Sequence, residues 1–316
     1  MLSSKTSHQK ALLALAWVCF FWGTTWIASK EGVKHMPALQ LCAIRQLLGG
    51  SIYLIYFIAT KHPWPKGKQW VTIITLSFFN FMLANGLSTW GVQYISSGLG
   101  AIIGAIFPLW IVIIALIDGE RMQQKAVLGM VMGFGGVCVI FYDHLKDFLV
   151  ADFRFGIIIS VIATISWAIG SVYTKKHAAN FNPYFSLGLQ MLISSTALFG
   201  TQKIIGAAAS GTTSSYINAM KMISFADIPL NAWWAILYLV VIGSVLTFIA
   251  YIYSLQRLPT SLASLYAYVN PVIAVLLGAI IFGEHLNMYV AVGGAVAIAG
   301  VYIVNDSFRK KTPPPL

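Results

Sequence analysis

Residues 100–137 read GAIIGAIFPLWIVIIALIDGERMQQKAVLGMVMGFGGV, and residues 263–301 read ASLYAYVNPVIAVLLGAIIFGEHLNMYVAVGGAVAIAGV. The letters differ, but one physical pattern runs through both. Gly100, Gly104, Pro108, the pair Gly119-Glu120, then Gly129, Gly133 and Gly136-Val137 form the first copy. Ala263, Ala267, Pro271, Gly283-Glu284, Gly293, Ala297 and Gly300-Val301 form the second, 163 to 164 positions later. Upstream, Gln93-Tyr94-Ile95 matches Gln256-Arg257-Leu258 at the same offset, and Trp22 with Lys30 matches Trp167 with Lys175 at 145. The second half of the chain repeats the first.

The duplicated pattern sits in a chain whose main solvent is not water. It is 58% hydrophobic and 9% charged, against about half and a quarter for a soluble domain, and its mean hydropathy is +0.79. Ten apolar runs approach or reach the length needed to cross about 30 Å of hydrocarbon. They lie near 11–29, 38–59, 70–90, 95–117, 126–142, 155–174, 184–206, 232–253, 261–282 and 287–304. Lipid offers backbone groups no water, so these runs must be helices. The expected fold is an all-α polytopic membrane protein with ten transmembrane helices. The first run is read as a span rather than a removed leader.

A net charge of +11 raises the question of nucleic acid, and its distribution answers it. With ten spans and the N-terminus inside, 13 basic residues fall on the inner side, 6 on the outer side, and Arg45 within a span. The positive-inside rule accounts for that bias and places both termini in the cytoplasm; no nucleic-acid partner is expected. Five spans per repeat is an odd number, so the two halves must be inverted around a central cavity. The parts are a cytoplasmic N-terminus at 1–10, repeat one at 11–142, an outer linker at 143–154, repeat two at 155–304 and a cytoplasmic tail at 305–316. Short loops and termini point to a bacterial-type inner membrane. An internal duplication in so apolar a chain marks secondary transporters, whose sites lie between their repeats.

Other chemistries find few parts. Cys19, Cys42 and Cys138 all fall inside spans and suggest no disulfide framework. The six histidines lie in termini or loops without metal-ligand spacing, so neither a metal nor another cofactor is expected. An intramembrane enzyme needs a nucleophile with a base, or a metal cluster, and no span carries a histidine or an acid to serve.

Several positions point to a site for a small molecule. Pro108 and Pro271, each near mid-span, leave a carbonyl four residues back without its donor and are read as matched kinks that gate a central pathway, with ordinary helix packing as the alternative. The small residues Gly100/Gly104 and Gly129/Gly133, with their counterparts, allow helices to pack closely. On the first span Trp22, Thr25, Trp26 and Ser29 share a face; on the sixth, Trp167, Gly170, Ser171 and Thr174 do. Asn85, Ser88 and Thr89 cluster on the third, Ser244, Thr247, Tyr251 and Ser254 on the eighth, and Tyr266, Tyr268 and Asn270 precede the kink of the ninth. Polar groups facing lipid are costly, so these faces turn inward, either around a cavity or to bond between helices. Arg45 either receives a substrate carboxylate or phosphate, or holds helices together; its counterpart is Gln190. Glu120 and Glu284 stand where a carboxylate favours the start of the following helix, with proton coupling as the alternative role.

Ten spans in two five-helix repeats, a proline in spans four and nine with Gly-Glu after each, Trp22-Gly23, the Pro37 to Arg45 spacing and the lysines ending spans one and six make a joint pattern. It resembles the EamA-type branch of the drug/metabolite transporter superfamily over nearly the whole chain. The resemblance implies an inverted-repeat fold, alternating access and, most often, export of amino acids, other metabolites or drugs. Four-span small multidrug pumps, which this fold also resembles, use a membrane glutamate in their first span. Here that face carries Trp22 and Thr25, so facilitated export or exchange fits better than proton antiport. The expected cargo is a small metabolite, an amino acid or related amphipathic compound. Multidrug efflux of cations is the alternative, and a lipid scramblase or structural membrane protein a more distant one. The expected unit is a monomer in the bilayer, with a dimer left open.

Overall fold

The computed structural model describes residues 2–117, 124–143, 147–176, 181–208, 221–258, 266–285 and 287–309, and its regular structure is entirely helical among them. Glu120 and Ala263 lie outside the described residues. Ten helices follow the ten apolar runs. The first five are α1 (Leu2–Gly32), α2 (Ala38–Ala59), α3 (Lys68–Gly91), α4 (two pieces, Ser97–Ala105 and Phe107–Ile117) and α5 (Gln124–Asp143). The second five are α6 (Ala151–Lys176), α7 (Pro183–Ala208), α8 (Leu230–Leu255), α9 (Tyr266–Phe282) and α10 (Met288–Arg309). Among the described residues six helices are long and apolar enough to span a membrane, and three apolar segments are shorter. The protein is a ten-helix polytopic membrane protein built as two inverted five-helix repeats around a central cavity.

Inversion shows in the packing. α2 packs on α7 and α5 on α10, each helix meeting its own counterpart. α1 crosses to α8 and α9 of the second half, while α6 crosses to α3 and α4 of the first. At the α5–α10 contact glycines of the two helices face each other's backbone. A methyl group on Gly136 would come 2.3 Å from the Ala297 nitrogen, and one on Gly300 would come 2.3 Å from the Gly133 nitrogen. The repeated small residues of the two halves thus meet each other, and backbone touches backbone.

Two departures from plain α-helix occupy corresponding places. α3 is wound as a π-helix over Ser77–Asn85, and α8 over Leu239–Leu246. Wide turns leave backbone carbonyls in poor register, and neighbouring side chains serve them. Asn85 Nδ2 donates to the Asn80 carbonyl (2.7 Å) and Gln46 Nε2 to that of Phe81 (3.1 Å). In α8 the Tyr53 hydroxyl donates to the Val245 and Ser244 carbonyls at 3.0 and 3.3 Å. α2 therefore stands between the two π segments and satisfies both.

The prolines behave differently from each other. α4 is interrupted at Ile106, and Pro108 lies in the first turn of the second piece, where its missing N–H is least felt. Pro271 lies inside a described helix that runs through it. The matched sequence positions carry one helix break and one uninterrupted helix.

Glu284 does not act on the helix that follows it. It reaches across the repeat boundary to the start of α4. Its Oε1 accepts from the Ser97 nitrogen (2.7 Å) and the Ser97 hydroxyl (2.8 Å), and its Oε2 from the Gly98 nitrogen (3.2 Å). The carboxylate meets the positive end of the α4 dipole and two orphan donors at once.

Candidate functional site

A cavity of about 180 Å³ lies where α1, α2, α3, α4, α6, α8 and α9 converge. The volume is below the roughly 300–1,000 Å³ of drug-sized pockets, which suits a compact molecule. From α1 it is lined by Trp22, Thr25, Trp26 and Ser29, from α2 by Arg45, and from α3 by Asn85, Ser88 and Thr89. From the second half come Trp167, Phe248, Tyr266, Asn270 and Pro271. Both repeats thus contribute aromatic walls and neutral hydrogen-bonding groups.

Glycines make room for one of those walls. A methyl group on Gly100 would come 2.9 Å from the Trp26 ring and one on Gly104 would come 3.0 Å from it. The Gly100/Gly104 pair therefore seats the indole of α1 against α4, a use for small residues beyond plain helix packing. Trp22 sits in a ring cluster, 5.0 Å from Phe248, 4.9 Å from Tyr251 and 5.0 Å from Tyr266 between centroids. Tyr251 also meets Tyr266 edge-on at 5.5 Å. Such tilted and edge contacts hold aromatic groups rigidly. Asn270, with its amide turned so that nitrogen faces the carbonyls of Cys19 and Tyr266 (2.7 and 3.1 Å), ties α9 to α1.

Not every residue singled out in the sequence reaches this wall. Tyr251 backs it through the ring cluster without lining it. Thr247 is fully buried and accepts from Trp17 Nε1 at 3.2 Å, which makes it an interhelical contact. The Ser171 hydroxyl donates to the Trp167 carbonyl at 2.7 Å and lies off the cavity. Pro108 does not line it either; its neighbour Phe107 does. The side chain of Tyr268 lies outside the described residues.

What sequence reading missed is the other flank of α6. Ser160, Ala163 and Thr164 line the cavity together with Trp167. They share its face at spacings of three, four and seven, running back toward the start of the helix. The signal was present in the same periodicity, read in the wrong direction.

Among the described residues Arg45 is the one charged side chain of the lining and is only 8% exposed. Its Nε donates to the Ser244 hydroxyl at 2.8 Å, on the π segment of α8. None of the three ion pairs among the described residues involves it. A charge at such depth costs about 2.5–3.5 kcal/mol on insertion scales, far more than one neutral partner returns. Its counterpart Gln190 is buried too, but donates to the Ser186 hydroxyl at 2.9 Å and stands away from the cavity.

Lys30, at the end of α1, donates to the carbonyls of Val92 and Ile95 at 2.7 Å each, just past the end of α3. An ammonium at a helix C-terminus satisfies orphan carbonyls and the dipole together.

Comparison with known proteins agrees with this architecture. A model of the EamA-like transporter family matches residues 9–142 and again 154–306. The chain belongs to the EamA-like transporter family. The uncharacterized transporter YvbV of Bacillus subtilis is 26% identical over 309 residues, 95% of this chain and 93% of that protein. The uncharacterized inner membrane transporter YedA of Escherichia coli K12 is 26% identical over 292 residues, 92% and 89% of the two chains. A crystal structure of a protein 18% identical to this chain superposes with a TM-score of 0.60 over 94% of this chain and 97% of that one, a likeness of fold. This EamA-family protein is a membrane transporter, not an enzyme.

Proposed function

We propose that this protein exports small metabolites, amino acids or related amphipathic compounds, by alternating access between its inverted repeats. It works in a cell inner membrane with both termini on the cytoplasmic side, as the bias of its basic residues favours. The observation that carries the reading is the cavity itself, walled by side chains of both repeats. A site shared by two halves that move against each other opens to either side as they rock, without itself being rebuilt. Trp22, Trp26, Trp167 and Tyr266 pack on the apolar part of the cargo, while Thr25, Asn85 and Asn270 offer hydrogen bonds and Arg45 a charge. All of them belong to one chain, so a monomer suffices.

Counterflow in liposomes tests this. Purified protein is reconstituted and uptake of labelled amino acids and metabolites is followed against an internal excess of the same compound. Saturable counterflow that is lost in Trp167→Ala supports the reading. Counterflow unaffected by Trp167→Ala would remove the cavity as the transport site.

A further inference from the structure

We propose that the cavity selects its cargo by a carboxylate, which docks on Arg45, and requires no ammonium group; this rests on the transport reading given above. The guanidinium is buried, lines the cavity and has no acidic partner among the described residues. Its bond to Ser244 uses one N–H of five. Backbone carbonyls nearby have other donors: the single Tyr53 O–H is shared between those of Val245 and Ser244 at 3.0 and 3.3 Å, and Trp22 Nε1 serves that of Gly243 at 3.4 Å. The guanidinium is therefore not consumed in holding the π segment together. Ser244 fixes it by Nε, and Nη2 lies against Gly243, where an added methyl group would come within 3.3 Å. With Nε engaged, the end-on pair Nη1 and Nη2 keeps its donors and suits two parallel bonds with a carboxylate.

The remainder of the wall narrows the class. Among the described residues it has no second positive charge, and the matched position is Gln190, already bonded to Ser186. One guanidinium balances one negative charge, which favours a carboxylate over a doubly charged phosphate ester. Among the described residues it also has no aspartate or glutamate. An ammonium would meet only amide and hydroxyl oxygens, so its presence is tolerated rather than demanded, and an amine lacking a carboxylate would face an unpaired like charge. The aromatic wall takes the apolar part of the molecule.

The test uses the full chain in lipid nanodiscs, read by tryptophan fluorescence, with counterflow in liposomes alongside. The probes are leucine and phenylalanine, the corresponding acids without the amino group, the corresponding amines without the carboxylate, and phenyl phosphate. Amino acids and deaminated acids are expected to bind, the amines and the phosphate ester not. Arg45→Gln should weaken acid binding by about tenfold to a hundredfold, Arg45→Lys less, and Ser244→Ala by a few-fold. Amines or phenyl phosphate binding as tightly as the acids, no binding of any acid, or Arg45→Gln within about twofold of the unmodified protein would overturn the proposal. If Arg45→Gln does not fold, unchanged acid affinity in both Arg45→Lys and Ser244→Ala overturns it instead. An amine that exchanges saturably keeps the transporter and removes the carboxylate site. Acid binding without counterflow keeps the carboxylate site and removes the transport reading.

Discussion

α1 and α6 open the two repeats, and each presents a tryptophan to the cavity, yet the residues that accompany them run opposite ways along the chain. From Trp22 the lining continues forward through Thr25, Trp26 and Ser29; from Trp167 it continues backward through Thr164, Ala163 and Ser160. In an inverted pair those two directions are one direction across the membrane. These accompanying residues of both helices lie on a single flank of the two tryptophans. Beyond Trp22, on the other flank, Phe248, Tyr251 and Tyr266 close ranks around its ring. A duplicated pattern therefore says which residues correspond, not which of them face the cavity together.

The comparison is broken most forcefully at the seam between the repeats. Gly136→Leu and Gly300→Leu each push a side chain into the facing backbone, and twofold-related sites should suffer alike, each losing about 3 kcal/mol. Gly135 has nothing within 4 Å of an added methyl group, so Gly135→Leu should stay within about 1 kcal/mol. Thermal unfolding in detergent measures all three. Unequal losses at Gly136 and Gly300 would mean that the seam is not symmetric.

Trp167→Ala should lower apparent affinity in counterflow by about tenfold or more through lost apolar contact. Ser171→Ala, off the wall, should stay within about twofold. The prolines come next. Pro271→Ala restores a donor for the Ala267 carbonyl and should stabilise α9 by about 1 kcal/mol while slowing turnover. Pro108→Ala, in the first turn of a helical piece, should change stability by less than about 0.5 kcal/mol. Glu284→Ala removes the acceptor of the Ser97 and Gly98 amides at the start of α4 and should likewise cost about 1 kcal/mol, with affinity unchanged. A larger loss of transport than of stability there would make that contact part of the moving machinery.

Much of this arrangement was legible in the chain because lipid leaves little choice. Long apolar runs must be helices, the repeated Gly and Pro positions announce two halves, and an odd number of spans per half forces inversion. Polar groups within spans turn inward, and Thr25, Arg45, Asn85 and Asn270 line one cavity with the ring-bearing Trp22, Trp26, Trp167 and Tyr266. Helical spacing alone does not give depth. Ser171 and Thr247 lie on polar faces as expected, but their hydroxyls are spent on the Trp167 carbonyl and on Trp17. The π segments carry no motif, because they depend on donors such as Gln46 and Tyr53 from α2, far away in the chain. Glu284 was expected at a helix start, and it is at one, but of a helix in the other repeat.

The most direct test of a shared site is substrate protection of one position from each repeat. In a chain freed of Cys19, Cys42 and Cys138, Ser29→Cys and Ser160→Cys are labelled with a small hydrophilic maleimide, with and without the compound that drives counterflow. Both positions line the cavity, so that compound should slow labelling at both by about tenfold at saturation, while leaving an exposed control such as Thr60→Cys untouched. Protection at one position only, or at neither, would contradict a single binding site between the repeats.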